Sequence, residues 1–166
     1  MSNLPSRNGG TLLRNIILEI NMYKRILFPT DGSEASGRAA QAAVDFARSA
    51  GAELVAMTAV PEFHTFTSDP EMLEQTPSQY AEAGKARAGR LLDEVAALAR
   101  DAGVPCTCLQ VVSDTPYEAI IATAREQHCD LIMMASHGRR GIKGLLLGSE
   151  THKVLVHSAI PVMVHR

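Results

Sequence analysis

The sequence predicts an α/β fold in which a doubly wound, five-stranded parallel sheet carries helices on both faces. Five short apolar runs alternate along the chain with four segments whose apolar residues recur at helical spacing. Parallel neighbours need crossover connections of this kind, and those crossovers are right-handed. Of the 166 residues, 46% are hydrophobic but only 4% are aromatic. We therefore expect one domain with a core of aliphatic side chains.

The first half of the chain has the pattern strand, loop, helix, strand. Arg25 to Pro29 is a short apolar run, followed by the turn residues Asp31-Gly32-Ser33. An alanine-rich helical face then ends at Gly51, a residue that commonly terminates helices. Glu53 to Val60 is the second predicted strand. The stretch 62–78 has the composition of a long irregular connection, and its length suggests a functional role.

The second half repeats the alternation of helices and strands. A long helix is predicted over 79–102, and Pro116 is suited to the first position of the next helix. A last helix is predicted from Ser149 to about Ser158. The remaining predicted strands are Pro105 to Val112, Asp130 to Ala135 and Pro161 to His165.

Residues 1–21 differ in composition from the rest and are treated as an N-terminal extension of a domain at 22–166. The extension has a polar head followed by apolar residues on one helical face, namely Leu12, Leu13, Ile16, Ile17 and Ile20. A short docked helix is one interpretation. The alternative is that Met22 is the true first residue.

Charge and hydropathy exclude several classes of partner. Sixteen Lys and Arg against eighteen Asp and Glu give a net charge of −2 without a basic block, which argues against nucleic acid. No apolar run approaches the ~18 residues of a membrane-spanning helix. Charged residues interrupt the apolar stretch 12–20, so we expect no secretory leader. The three cysteines fit no zinc spacing, and a reducing cytoplasm is the expected location.

The loops at the carboxyl ends of the strands are where such sheets bind ligands. These loops start at Thr30, Val60, Val112 and Ala135. The last of them is rich in glycine and runs from Ala135 to Ser149 into the start of a helix. Backbone N–H groups there, with the hydroxyls of Ser149 and Thr151, are suited to bind an anion. A plain connection with Ser149 as helix cap is the alternative.

Asp31 follows the first strand directly. Its carboxylate is suited to a ribose hydroxyl, an adenine amino group or a magnesium ion. The alternative is a local Asx turn or a helix cap before Ser33. His137, inside the glycine-rich loop, is suited either to contact a phosphate or to stabilise the turn.

Other catalytic and metal-binding motifs find little support. A Walker A loop, a nucleophile elbow and a dinucleotide glycine fingerprint are absent from the sequence. Cys106 and Cys108 share one face of a strand, so they could chelate a soft metal or form a redox pair. The preferred interpretation is that both cysteines are simply small buried residues. We predict no catalytic residues and no metal ligands.

Three motifs together resemble the universal stress protein family. They are the run from Arg25 to Glu34, the run Met134-Ala-Ser-His-Gly138 with Gly148-Ser149 ten residues on, and Ile160 to Val164. The resemblance covers 22–166. It implies strand order 3-2-1-4-5, a homodimer formed through the strand at 161–165, and, in some members, bound ATP, here expected with Mg²⁺.

ATP-binding members of that family share a pattern of glycine, two residues, glycine, nine residues, glycine, then Ser or Thr. Here it falls on Ala135, Gly138, Gly148 and Ser149, with alanine at the first glycine. Alanine costs roughly 1 kcal/mol if that position needs a positive φ, and little if it needs only a small side chain. The second case is favoured. The resemblance implies the following nucleotide-contacting set: Pro29, Thr30, Asp31, Ala59, Ala135, Ser136, Gly138, Arg139, Gly148, Ser149, Glu150 and Thr151.

Within this set the resemblance implies separate roles. Asp31 lies beside the base or ribose, backbone near Ala59 meets the adenine, and Ser149 to Thr151 surround the phosphates, with Glu150 acting through its N–H. The expected function is an ATP-binding module of the stress response that is not an enzyme. Two alternatives are a stress protein acting without nucleotide through its dimer surface, and a slow ATP-hydrolysing or adenylyl-transfer enzyme.

Overall fold

The parallel sheet forms as the sequence predicts, in the computed structural model that describes residues 22–62, 76–138 and 147–166. The expectations for the extension 1–21, for most of the connection 62–78 and for Arg139 lie outside the described residues. In chain order the strands are β1 (Arg25–Pro29), β2 (Glu53–Val60), β3 (Cys106–Val112), β4 (Leu131–Ala135) and β5 (Val162–His165). The helices are α1 (Glu34–Ala50), α2 (Pro77–Asp101), α3 (Pro116–Glu126) and α4 (Ser149–His157).

The strand order β3-β2-β1-β4-β5 confirms the predicted doubly wound topology. Every neighbouring pair of strands is parallel. Strands β1 and β4 pair with Ile26 opposite Leu131 and Leu27 opposite Ile132. The chain moves outward from β1 in one direction to β2 and β3, then returns to the other side for β4 and β5. The carboxyl ends of β1 and β4 therefore flank the switch point, where open α/β sheets bind ligands.

The core has two layers, one on each face of the sheet. Alternate residues of a strand point to opposite faces, so Ile26 and Phe28 pack with α1 and α2, and Leu27 packs with α3 and α4. Phe28 is the sole fully buried aromatic side chain among the described residues. Aliphatic side chains and alanines make up most of both layers, as the low aromatic content predicts.

Helix boundaries follow from local capping. The Ser33 hydroxyl accepts the Ser36 N–H at the start of α1, and Gly51 ends that helix with φ 63°. The second helix begins at Pro77, two residues before the prediction, because Thr76 and Gln79 form a reciprocal capping box. The cap of α4 is Gly148, not Ser149, which is its first helical residue.

Burial on β3 differs from the expectation. The preferred interpretation placed Cys106 and Cys108 among buried residues, but Cys106 is half-buried and Cys108 is exposed. The reason is that β3 lies at the edge of the sheet, where neighbouring elements cover a strand less completely. Within the described ranges, no helix is long and apolar enough to cross a membrane.

Candidate functional site

Two loops meet at the switch point. One follows β1 and carries Asp31; the other follows β4 and carries Gly138. A Cβ added to Gly138 would lie 2.5 Å from Oδ2 of Asp31, far inside van der Waals contact. Gly138 is not among the glycines with positive φ, which are Gly32, Gly51 and Gly103. Glycine is therefore needed at 138 for the close approach of the carboxylate.

The loop after β1 is fixed by short-range hydrogen bonds. The Ser33 N–H donates to Oδ1 of Asp31 at 3.0 Å, so the Asx turn expected as an alternative does form. The buried hydroxyls of Thr30 and Ser36 are hydrogen-bonded at 2.8 Å. Gly32 has φ 74°, and a Cβ there would lie 2.4 Å from the side chain of Leu91 on α2. The turn holds one carboxylate oxygen of Asp31 and sets the other against Gly138.

The chain leaving β4 is tied to both β5 and α4. The Ser136 N–H donates to the carbonyl of His165 at 2.7 Å, and the Ser136 carbonyl accepts the Gly148 N–H at 2.8 Å. The Ser136 hydroxyl is hydrogen-bonded to Nδ1 of His137 at 2.9 Å. A Cβ on Gly148 would lie 3.4 Å from the backbone of Ser136 and His137. A methyl group just fits there.

The first turn of α4 follows Gly148, whose N–H donates to the Ser136 carbonyl, so its backbone N–H groups lie beside the loop that follows β4. Ser149 is exposed at the first helical position. The Thr151 hydroxyl, which the sequence suggests for an anion, is buried here and donates to the carbonyl of Ala135 at 3.0 Å. Its side chain thereby anchors α4 to β4, and its backbone N–H is the group of Thr151 that suits an anion.

Glu150 has a role that the sequence did not reveal. Its Oε2 accepts the backbone N–H of Tyr117 at 3.0 Å, and its Oε1 accepts from Nζ of Lys153 at 2.8 Å. Thr115, the cap residue of α3, makes no side-chain capping bond, so Glu150 supplies an acceptor at the start of that helix. The carboxylate in the first turn of α4 is thereby held by α3 and by Lys153.

Charged and aromatic groups around Tyr117 add to the contact between α3 and α4. Nζ of Lys153 lies 5.2 Å from the centroid of the Tyr117 ring, and the ring of His157 lies 5.5 Å from it. The hydrogen bond to Glu150 raises the pKa of Lys153, and the hydrogen bonds from Tyr117 and Thr115 lower the pKa of Glu118. The charged forms of Lys153 and Glu118 are both favoured, so the contact between α3 and α4 keeps its charges at neutral pH.

Ala135 lies inside β4, and its backbone is not strained. His128 is the sole non-glycine residue with positive φ in the described ranges, so position 135 does not require glycine for its conformation. The first of the two cases, a positive φ at this position, therefore does not apply. Pro29 and Ala59 lie at or next to the carboxyl ends of β1 and β2, on the same edge of the sheet as Asp31.

Among the residues that the structure describes, no group of three or more His, Cys, Asp or Glu could hold a metal ion. Burial is the main cause that raises the pKa of Cys106 and of Cys129 to about 11. Both thiols are accordingly protonated at neutral pH.

The fold and the two loops define a class: doubly wound α/β domains with glycine-bearing loops at the switch point. Comparison with known proteins identifies the family, since the model of the universal stress protein family matches residues 22–166. The chain belongs to the universal stress protein family.

Individual relatives agree with that assignment. A universal stress protein of Thermus aquaticus is 32% identical over 145 residues, which cover 87% of this chain and 100% of the relative. The solved structure of protein MJ0577 of Methanocaldococcus jannaschii has a TM-score of 0.71 at 28% identity and covers 86% of this chain and 95% of its own. A universal stress protein solved in complex with cAMP has a TM-score of 0.63 at 27% identity, covering 87% and 97%.

Proposed function

We propose that this chain binds an adenine nucleotide, ATP with Mg²⁺, in the crevice between Asp31 and the first turn of α4. The observation that carries the proposal is the approach of the Asp31 carboxylate to Gly138, which brings a hydrogen-bond acceptor and a glycine-lined backbone together at the switch point. The relative solved with cAMP supports an adenine nucleotide as the ligand class.

Each side of the crevice suits one part of the nucleotide. The Oδ2 oxygen of Asp31 is placed to accept hydrogen bonds from a ribose hydroxyl or an adenine amino group. Backbone near Ala59, on the neighbouring strand, suits the flat face of the base. Gly138, Gly148 and the N–H groups of Ser149 to Thr151 suit the phosphates, which the N-terminus of a helix attracts.

We further propose that the protein acts as a regulatory module of the stress response and not as an enzyme. Hydrolysis needs a group that orients or deprotonates water, and we assign that role to no described residue. His137, the titratable side chain beside Gly138, is hydrogen-bonded to the Ser136 hydroxyl. We expect single-turnover hydrolysis of ATP to be slow or absent. Turnover that disappears in Asp31→Ala would favour an enzyme instead.

Calorimetric titration of nucleotide-stripped protein with Mg-ATP tests the binding proposal. We expect one site of micromolar affinity in the wild type, and a loss of about tenfold or more in Asp31→Ala, since a charge-assisted hydrogen bond contributes ~1.5–3 kcal/mol. Asp93→Ala removes an exposed carboxylate on α2 and is the matched control. If folded wild-type protein binds no ATP at millimolar concentration, the proposal fails.

The second candidate function is that of a stress protein that works without nucleotide, through a dimer surface. The observation in its favour is β5, a four-residue edge strand whose residues are all partly exposed. A bare edge of this kind invites pairing with a second chain. A homodimer through β5 is compatible with either function, and a cytoplasmic location remains a prediction for both.

A further inference from the structure

Two thiols lie together on the face of β3 that is turned towards α2. Cys106 packs against the core layer that contains α1 and α2, and Sγ of Cys108 is hydrogen-bonded to the carbonyl of Leu92 on α2 at 3.7 Å. Cys106 is half-buried and Cys108 is exposed. Burial therefore does not account for both residues, and the pair is open to reagents from solvent.

The spacing of the pair disfavours a disulfide between them. Residues two apart in a strand have Cα atoms ~6.6 Å apart and side chains that run parallel to each other. That separation is near the upper limit for disulfides, whose Cβ atoms must also turn towards each other. Parallel thiols at this spacing are better suited to hold one atom between them. Each thiol is at present hydrogen-bonded to a backbone carbonyl, Cys106 to that of Thr107 at 3.9 Å and Cys108 to that of Leu92 at 3.7 Å.

Because both ligands of the pair Cys106 and Cys108 are thiols, their chemistry determines which metal ion they bind. Thiolates are soft ligands that favour Cu(I), zinc and iron–sulfur clusters. Structural zinc needs four ligands, and the described part of the chain offers no third His, Cys, Asp or Glu at this pair. A monovalent soft ion can be held by two thiolates alone. Cys129 lies in the core layer on the opposite face of the sheet, so the sheet separates it from the pair.

We propose that Cys106 and Cys108 form a two-coordinate site for Cu(I). The two thiols each release a proton to solvent and the ion gains two S–Cu bonds, so that two R–SH and Cu⁺ give Cu(SR)₂⁻ and two H⁺ without any change of oxidation state. The site lies on the edge strand β3, away from the crevice at the ends of β1 and β4. It is therefore independent of nucleotide binding.

Anaerobic competition between the full-length protein and a chromogenic Cu(I) chelator tests the site. The wild type should withdraw one equivalent of Cu(I) from the chelator, and Cys108→Ser and Cys106→Ser should each abolish that withdrawal. Cys129→Ser, which removes the third thiol, should behave as wild type. A wild type that leaves all the copper with the chelator, or a Cys108→Ser variant that retains it, would overturn the proposal.

Two further measurements guard against misleading results. Cys108 is exposed, so Cys108→Ser should leave the melting temperature unchanged, and this variant decides the test even if half-buried Cys106→Ser is less stable. Titration with Zn²⁺ should show at least 100-fold weaker binding than Cu(I). Equal affinity for the two ions would mean that further ligands take part, and would contradict a two-coordinate site.

Discussion

At the scale of single residues, Gly138 is the position where an added methyl group is expected to weaken the proposed nucleotide binding without preventing folding. A Cβ there would lie 2.5 Å from Oδ2 of Asp31, while the backbone φ is one that alanine adopts freely. In Gly138→Ala we expect the carboxylate to turn away, with a change of less than about 1 kcal/mol in the free energy of unfolding. Nucleotide affinity should fall about as much as in Asp31→Ala. Urea unfolding and calorimetric titration measure the two effects.

The matched control for Gly138→Ala is Gly37→Ala on α1, where an added Cβ meets nothing within 4 Å. This variant should bind as the wild type does. Because the methyl group added at position 138 would act through Asp31, the double variant Gly138→Ala with Asp31→Ala should bind no worse than Asp31→Ala alone. Additive losses would show that Gly138 contacts the nucleotide by some other route.

The sequence could predict Asp31 and Gly138 as candidate residues because strand ends and glycine-rich turns are local signals. It could not predict that the Thr151 hydroxyl donates to the Ala135 carbonyl, or that the Tyr117 N–H donates to the Glu150 carboxylate. The last of these contacts joins residues 33 positions apart. Contacts of this kind depend on how two helices pack, which no local pattern encodes.

At the scale of elements, the start of α3 is stabilised by a residue of α4. Glu150 accepts the Tyr117 N–H where Thr115 makes no capping bond. Glu150→Ala should therefore act as the loss of a helix cap and lower the free energy of unfolding by about 1 kcal/mol. For a chain of this length the melting temperature should fall by roughly 2–4 °C, which thermal unfolding followed by circular dichroism can measure.

Two variants separate the cap from the ion pair at Glu150. Glu150→Gln keeps a side-chain oxygen for the Tyr117 N–H and should retain most of the stability. Lys153→Ala removes the exposed ion pair and the cation over the Tyr117 ring but leaves the cap in place, and it should change stability less than Glu150→Ala does. Equal losses in Lys153→Ala and Glu150→Ala would mean that the contacts of Lys153, and not the cap, account for the stability.

At the scale of the whole molecule, the alternation of apolar runs and helical faces was sufficient to predict the parallel sheet, and the family resemblance supplied its order. The exposure of Cys108 was not predictable in the same way. Apolar runs of similar composition become central or edge strands according to the crossovers, and β3 is an edge strand. Burial at an edge depends on the neighbouring helix, here α2, and not on the strand itself.

At the opposite edge of the sheet, no strand among the described residues pairs with the outer side of β5. The carbonyl of Pro161 accepts the Ile132 N–H of β4 at 2.9 Å, and that of His165 accepts the N–H of Ser136, just after β4, at 2.7 Å. Since successive residues of a strand direct their backbone groups to opposite sides, Val162 and Val164 present theirs to the open edge. The adjacent α4 adds exposed apolar surface through Leu155 and Val156, which are 39% and 61% exposed. These features favour a homodimer over a bare edge.

Val164→Pro tests this dimer because proline removes an N–H that faces the open edge and leaves the hydrogen bonds to β4 in place. We expect sedimentation at micromolar concentration to show a dimeric wild type and a monomeric, folded Val164→Pro. Gln110→Pro is the control at the other edge of the sheet. On β3 the Pro105 carbonyl accepts the Leu54 N–H and the Ser113 N–H donates to the Val60 carbonyl. Odd-numbered residues of this strand therefore face β2, and the N–H of Gln110 faces outward. That variant should remain dimeric. A monomeric wild type would exclude the dimer. If Gln110→Pro alone dissociates it, the subunit contact is formed by β3 and not by β5.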